Sequence, residues 1–261
     1  MAKVIAIANQ KGGCSKTTVA ANLGIGLARA GKKVCLIDAD PQGSLTASLG
    51  YPDTDDIPLT LATIMMDIIN EEDFTPDCGI LHHEEGVDII PANMELSGLE
   101  VSLANVMSRE MIMKEYVEMI RDSYEYILID TMPSLGVMTI NALVSADDVI
   151  VPVQAAYLPV KGLQELIKTI STVKKRLNKK LSIEGILITM VDYRTNYAKD
   201  ITAMLRDSYG MSEEVGVLQT YIPFSVKIQE ASSEGISIFR YAPKCKAAES
   251  FANLTKEVMG A

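Results

Sequence analysis

A short glycine-containing loop near the start of the chain carries residue types that bind phosphate. Residues 10–18 read Gln-Lys-Gly-Gly-Cys-Ser-Lys-Thr-Thr and lie between an apolar run, 4–8, and a helical pattern closed by Gly31. Backbone N–H groups of such a loop converge on an anion, and the following helix N-terminus adds a favourable dipole. Lys16 supplies a positive charge for the β- and γ-phosphates, and the Thr17 hydroxyl is a ligand for Mg²⁺. The stretch predicts a nucleotide-binding strand–loop–helix unit.

The loop departs from the usual phosphate-loop pattern, G-x-x-x-x-G-K-[ST], at two positions. Gln10 and Ser15 stand where the pattern has glycines, and a second lysine, Lys11, precedes the paired Gly12 and Gly13. A glycine at position 15 would tolerate a positive φ and a close phosphate approach. The serine is therefore expected to weaken nucleotide affinity.

Apolar runs alternate with helical patterns along the whole chain, and this alternation predicts the scaffold that positions the loop. The runs are continuous, as strands covered on both faces should be. They lie at residues 4–8, 33–38, 87–91, 126–130, 148–153, 183–190 and 217–222. Helices are expected near residues 96–107, 110–120, 163–177, 197–209 and 244–258. The pattern predicts one α/β domain, residues 1–261, with a doubly wound, mostly parallel sheet flanked by helices.

Two carboxylates follow or end apolar strands. Asp40 lies in the polar loop 38–43, and Asp130 ends the run 126–130. The carboxyl ends of parallel strands are where α/β sheets place their ligands. An apolar strand that ends in Asp also suits a carboxylate that holds Mg²⁺ through a water molecule. Both carboxylates are therefore candidates for the nucleotide site.

The loop K-G-G-x-[GS]-K-T-T resembles the deviant Walker A loop of the ParA/Soj/MinD family of ATPases. Four further stretches are similar to the ParA/Soj branch, so that the resemblance covers essentially the whole chain. Residues 38–43 resemble its switch I, residues 130–136 its switch II, residues 186–196 its T-M-x-D-x-R-T-N stretch, and residues 222–231 its I-P-R-N-V-R-L-S-E-A stretch. The chain departs from these patterns at Met132, Phe224 and Ser225, which replace a proline, an arginine and an asparagine.

The resemblance implies a P-loop NTPase fold, ATP/ADP and Mg²⁺ as cofactors, and a role for each matching residue. It implies that Lys11, Lys16 and Asp40 are the catalytic residues, and that Lys11 reaches across a dimer to the partner's nucleotide. It implies that Thr17, Asp40 and Asp130 bind Mg²⁺. It also implies that Arg194 and Lys227 bind DNA without sequence preference. The nucleotide-binding residues are Lys11, Gly12, Gly13, Cys14, Ser15, Lys16, Thr17, Thr18, Met190, Pro223 and Ser225.

The function implied by the resemblance is a slow, partner-stimulated Mg²⁺-dependent ATPase that dimerises with ATP. The ATP dimer would bind DNA and, with a ParB-like centromere-binding protein, partition or position a plasmid, chromosome or mobile element. A cytoplasmic, nucleoid-associated location follows. Because the phosphate loop begins by residue 10, we expect no N-terminal helix-turn-helix.

Charge and cysteine content bear on these expectations. The chain has 24 Lys and Arg against 34 Asp and Glu, a net charge of −10, but residues 161–261 hold 15 against 11. A local basic surface and an ordinary solvated helix face both fit that distribution. The four cysteines show no C-x-x-C spacing, which favours a reducing compartment over a disulfide framework or zinc site. No apolar run reaches the roughly 18–20 residues of a membrane span.

Three other readings remain. A MinD-like membrane cycle requires a basic amphipathic C-terminal helix, whereas residues 247–261 contain one Lys and two Glu. A nitrogenase-iron-protein-like reductase requires cysteines that hold an Fe–S cluster, and the switch II stretch has none. The third reading is a non-hydrolysing DNA-binding or scaffold protein with a relic phosphate loop. Assaying ATPase activity with and without DNA separates it from the first.

Overall fold

The computed structural model describes residues 1–155, 159–192, 194–210 and 214–260. Within these ranges eight strands form one sheet, in the order β3-β4-β2-β5-β1-β6-β7-β8. The strands are β1 Lys3–Ile7, β2 Val34–Ala39, β3 Leu81–His82, β4 Val87–Ile90, β5 Tyr126–Thr131, β6 Asp148–Gln154, β7 Ser182–Val191 and β8 Val217–Pro223. All neighbouring strands pair in parallel except β3, which pairs antiparallel with β4. The expected mostly parallel α/β fold is confirmed.

Helices cover both faces of this sheet. They are α1 Lys16–Arg29, α2 Ser44–Ser48, α3 Leu61–Ile69, α4 Glu95–Ser102, α5 Ile112–Ile120, α6 Val137–Ser145, α7 Pro159–Arg176, α8 Asn196–Tyr209, α9 Val226–Ser233, α10 Ile238–Tyr241 and α11 Lys246–Met259. Short 3₁₀ turns lie at Thr54–Asp56, Leu103–Asn105 and Arg121–Ser123.

Strand β1 shows how the two faces produce two cores. Val4 and Ala6 enter a core with α3, α5, α6 and α7, whereas Ile5 and Ile7 enter a second core with α1 and α11. Successive side chains of a strand point to opposite faces, so a strand buried on both faces is apolar throughout. Helix α1 packs closely on β2, since a Cβ at Gly24 would lie 2.5 Å from Leu36 Cδ2. That packing fixes the end of α1 that carries Lys16.

The predicted strands end within about two residues of the observed ones, and the helices are less accurate. The helix expected over 96–107 ends at Ser102 and continues as a 3₁₀ turn. Strand β3 and helices α6, α9 and α10 were not predicted. Strand β3 has two residues, too few for any periodicity to mark it.

Candidate functional site

The phosphate loop lies between β1 and α1, at the carboxyl edge of the sheet. Asn9 fixes it: its Nδ2 donates to the Pro152 carbonyl at 2.7 Å, and its Oδ1 accepts from the Lys11 amide at 3.0 Å. Gly13 and Ser15 both adopt left-handed backbone conformations, with φ of 70° and 73°. Ser15 is the residue before α1, and its side chain makes no capping hydrogen bond. The loop thus has the turn expected of it, with a serine in a conformation that favours glycine.

The two lysines of the loop differ in environment. Lys16 is buried, and its Nζ lies 3.4 Å from the Lys11 carbonyl oxygen. Lys11 is exposed, and among the described residues no ion pair includes it. A buried ammonium suits an anion held inside the same protomer, whereas an exposed one is accessible from outside. The roles predicted for the two lysines agree with these positions but are not tested by them.

Thr17 and Asp130 meet behind the loop. The Thr17 hydroxyl donates to Asp130 Oδ2 at 2.6 Å, while Asp130 Oδ1 is buried without a hydrogen-bond partner. Burial, reinforced by the nearby charge of Asp38, raises the pKa of Asp130 well above its usual value. A hydroxyl beside a carboxylate oxygen that lacks a partner is a donor set that Mg²⁺ prefers. The residues present therefore fit the predicted ion.

Asp38 is a buried carboxylate next to the site that sequence reasoning missed. It lies inside β2, is fully buried and accepts hydrogen bonds from the Thr46 amide at 2.9 Å and the Thr46 hydroxyl at 2.8 Å. Burial raises its pKa to about 6. Asp38 also accepts from the Asp40 amide at 3.2 Å. It therefore anchors the loop that carries Asp40 to the first turn of α2. The one available signal was a charged residue within an otherwise apolar run.

A pocket of about 320 Å³ opens beside these groups. Nine of the predicted nucleotide-binding residues line it, together with Asp40. Seven of the nine are Gly12, Gly13, Ser15, Lys16, Thr17, Thr18 and Met190. The other two, Pro223 at the end of β8 and Ser225 just beyond it, line the opposite wall. The structure thus brings together residues from four separate stretches of the chain.

Three of the residues predicted for the nucleotide or for Mg²⁺ do not line the pocket themselves. Lys11 is exposed, and Asp130 lies behind Thr17. The Cys14 side chain is buried, with its thiol donating to the Lys11 carbonyl at 3.2 Å and its own carbonyl accepting from the Thr189 hydroxyl at 3.1 Å. Burial raises the pKa of the Cys14 thiol. Cys14 therefore supports the loop from behind, and only its backbone can belong to a phosphate site.

Sequence reasoning also missed part of the pocket wall. Pro133 of the switch II stretch and Ser44 of α2 line it, and so do Phe224, Ile228 and Gln229. Phe224 was noted only as a departure from the family pattern. Its neighbours at the start of α9 were not expected, because that helix was not predicted.

The two predicted DNA-contact residues lie outside the pocket. Arg194 is exposed, but its guanidinium forms two hydrogen bonds with Asp192: Nε to Oδ1 at 2.8 Å and Nη2 to Oδ2 at 2.7 Å. These bonds lower the pKa of Asp192 to about 2. Lys227 is exposed in the first turn of α9. Tyr193, which belongs to the same stretch as Arg194, is outside the described residues.

A two-lysine phosphate loop, a hydroxyl–carboxylate pair beneath it and a parallel sheet with this strand order define a P-loop ATPase. Comparison with known proteins agrees with that class. A family model described as "AAA domain" matches residues 2–183. The chain is 41% identical to the sporulation initiation inhibitor protein Soj of Bacillus subtilis, covering 99% of this chain and 98% of Soj. It is 38% identical to the chromosome partitioning protein ParA of Caulobacter vibrioides, covering 98% of this chain and 94% of ParA. The chain belongs to the ParA/Soj family of ATPases.

A solved structure agrees in fold as well. It is described as cobyrinic acid a,c-diamide synthase from Mycobacterium smegmatis with a bound ATP analogue and magnesium. This chain superposes on it with a TM-score of 0.87 at 34% identity, covering 99% of this chain and 94% of that one. The expectation of ATP/ADP and Mg²⁺ is consistent with what that relative binds.

Proposed function

We propose that this protein is a Mg²⁺-dependent ATPase switch that dimerises with ATP, binds DNA without sequence preference as the dimer, and partitions or positions a plasmid, chromosome or mobile element. The names of the relatives Soj and ParA support the partition role. The observation that carries the ATPase proposal is the Thr17–Asp130 pair, with its unpartnered buried oxygen, at the base of the phosphate loop.

Different residues of the pocket would bind different parts of the nucleotide. Lys16 and the backbone amides of Gly12 and Gly13 would bind the phosphates. Thr17 would hold Mg²⁺ directly and Asp130 through water, with Asp40 the third candidate ligand. When bound, Mg²⁺ supplies positive charge to the β- and γ-phosphate oxygens. Residues 190, 222–225, 228 and 229 remain for the nucleoside end.

Asp40 would position the attacking water. Its Oδ1 already accepts a hydrogen bond from the Gln42 amide at 3.0 Å, and Asp38 holds its backbone, so its carboxylate is fixed at the pocket wall. A carboxylate held in this way can orient a water and accept its proton. Loss of the γ-phosphate then removes the charge that brings two protomers together.

Lys11 makes dimerisation depend on ATP. Because its ammonium is exposed and lies outside the pocket of its own protomer, it is free to reach the γ-phosphate of a second copy. Two protomers facing each other with triphosphates repel unless that charge is neutralised. Lys11 would supply the neutralisation in trans.

DNA binding and the partner are the finer parts of the proposal. A dimer presents two copies of each weak basic contact on one particle, so DNA affinity rises with dimerisation. Lys227 and Arg194 are the contacts proposed, with a ParB-like centromere-binding protein as the stimulating partner. A nucleoid-associated location would follow.

The C-terminal helix argues against a MinD-like membrane cycle. Phe251, Leu254 and Val258 of α11 are buried in the core with α1 and β8. An interfacial helix would need that apolar face for lipid. In the part of the chain that the structure describes, no helix has the length and apolar character to cross a bilayer.

Phosphate release from ATP tests the proposal, with and without Mg²⁺ and with and without DNA. We expect slow, Mg²⁺-dependent turnover in the parent and no ATP binding by Lys16→Ala. Undiminished ATP affinity in that variant would refute the phosphate-loop assignment. ATP binding without any turnover would favour the non-hydrolysing scaffold.

A further inference from the structure

The end of the pocket away from the phosphate loop is largely apolar. Its wall comes from Met190 near the end of β7, from Ile222 and Pro223 at the end of β8, and from residues 224, 225, 228 and 229 beyond that strand. Met190 adopts a left-handed backbone with φ of 54°, a strained conformation that is often found at ligand clamps. Since the phosphate loop takes the phosphates, this end takes the nucleobase.

Phe224 lies at the mouth of that end. Its amide donates to the Val191 carbonyl at 3.1 Å, so the backbone that carries the ring is tied to the neighbouring strand. The side chain nevertheless remains 53% exposed. Among the described residues, the close aromatic pair and the cation–π contact involve other rings, which leaves both faces of Phe224 without such a partner. A held but exposed ring beside a base site is suited to stacking.

Few side chains at this end can read the edge of a base. Ser225 precedes α9 but makes no capping hydrogen bond, so its hydroxyl is available to a ligand. Gln229 lines the pocket and is exposed. Strong discrimination between bases requires buried polar groups of the protein that lose their hydrogen-bond partners when the wrong base binds. Ser225 is only half-buried and Gln229 is exposed, so water can satisfy both groups when the base does not.

We infer that Phe224 stacks on the nucleobase, and that the pocket accepts purine nucleoside triphosphates with little discrimination between adenine and guanine. Every base has a π-face, so stacking is tolerant of base identity. The larger purines gain more stacking area than pyrimidines do. The inference rests on the nucleotide site of the proposed function and adds its substrate class.

Competition binding with the full chain tests this inference, using a fluorescent ATP analogue displaced by ATP, GTP, CTP or inorganic tripolyphosphate in the presence of Mg²⁺. We expect the Kd values of ATP and GTP to agree within about tenfold, because among the described residues no buried polar side chain lines this end of the pocket. Phe224→Ala should weaken both by roughly 5- to 100-fold. Tripolyphosphate, which has no base, should bind Phe224→Ala as it binds the parent. Phe224→Tyr keeps an aromatic ring and should bind both nucleotides as the parent does.

Two results would overturn the inference. One is a preference for ATP over GTP of a thousandfold or more, and the other is unchanged nucleotide affinity in Phe224→Ala. If that variant also lost single-stranded DNA binding, the ring would stack on DNA instead of on the nucleotide. The thermal midpoint of Phe224→Ala, unchanged for a half-exposed side chain, shows that the variant is folded. Failure of the parent to bind ATP or tripolyphosphate would refute the phosphate site itself, which Lys16→Ala tests separately.

Discussion

Replacement of Ser15 by glycine should stabilise the protein. Ser15 has φ of 73° and ψ of 26°, and its hydroxyl makes no capping bond that the substitution would remove. A left-handed conformation costs a residue other than glycine about 1–2 kcal/mol. The greater conformational freedom of glycine stabilises the unfolded chain, which offsets about 0.4–1 kcal/mol of that gain. The free energy of unfolding should therefore rise by roughly 0.5–1 kcal/mol, which for a chain of this length raises Tm by about 2 °C.

Urea unfolding of the parent and Ser15→Gly measures the difference, provided that both give the same m-value. Gly13→Ala is the matched control. Gly13 has φ of 70°, and a Cβ there would meet no heavy atom within 4 Å, so alanine adds backbone strain without a clash. We expect the free energy of unfolding of that variant to be lower by about 1 kcal/mol. A lower unfolding free energy for Ser15→Gly would refute the reasoning, because the serine would then contribute something that the backbone analysis omits.

Three further predictions concern the chemistry and the DNA surface. Asp130→Asn removes a carboxylate whose charged form is disfavoured by burial, so the Tm without nucleotide should not fall. Mg²⁺-dependent turnover should drop about 10- to 100-fold. Thermal melts with and without Mg²⁺·ADP check the first part, and phosphate release checks the second. Asp40→Ala should slow phosphate release by about 100-fold or more while ATP still binds and the dimer persists; a parallel loss of ATP affinity would show that Asp40 only shapes its loop. The dimer should bind duplex DNA with a slope of about −3 to −4 in log K against log salt, and Arg194→Ala/Lys227→Ala should lose most of it.

Two controls sharpen the DNA prediction. Asp192→Asn removes the partner that offsets the Arg194 charge, so it should strengthen DNA binding if Arg194 is a contact. Lys174→Ala/Lys175→Ala alters the last turn of α7, which lies at the opposite edge of the parallel sheet from the pocket. An unchanged salt slope in the Arg194/Lys227 variant, with a reduced slope in the α7 variant, would place the DNA surface on α7.

The parts of the fold that depend on continuous local pattern were predictable from the sequence. Strands such as β5 are apolar until the Asp that ends their run, and the phosphate loop has its glycines and lysines at fixed spacing. Burial on both faces imposes the first pattern and the close approach of phosphate the second. The paired Thr17 and Asp130 follow from those two elements, because β1 and β5 are neighbours in the sheet.

Contacts that depend on tertiary packing were not predictable. Asp38 ends the apolar run 33–38 and begins the polar loop 38–43, so the sequence alone could not show that it is buried with its carboxylate satisfied by Thr46, eight positions further on. The pairing of Arg194 with Asp192 could not be predicted from the sequence, since either residue could equally face solvent. The position of Phe224 in the pocket wall could not be predicted, because the wall forms only when distant parts of the chain pack together.

Light scattering of the Lys11→Ala variant with ATP and Mg²⁺ tests the central claim most directly. The Asp40→Ala background keeps ATP intact during the measurement, and Lys16→Ala serves as the variant that cannot bind nucleotide. Because Lys11 acts in trans, Lys11→Ala should bind ATP with the affinity of the parent and remain a monomer, while the Asp40→Ala protein with Lys11 intact doubles its molar mass. An ATP-dependent dimer of normal strength in Lys11→Ala would contradict the account, since dimerisation would then not depend on that lysine.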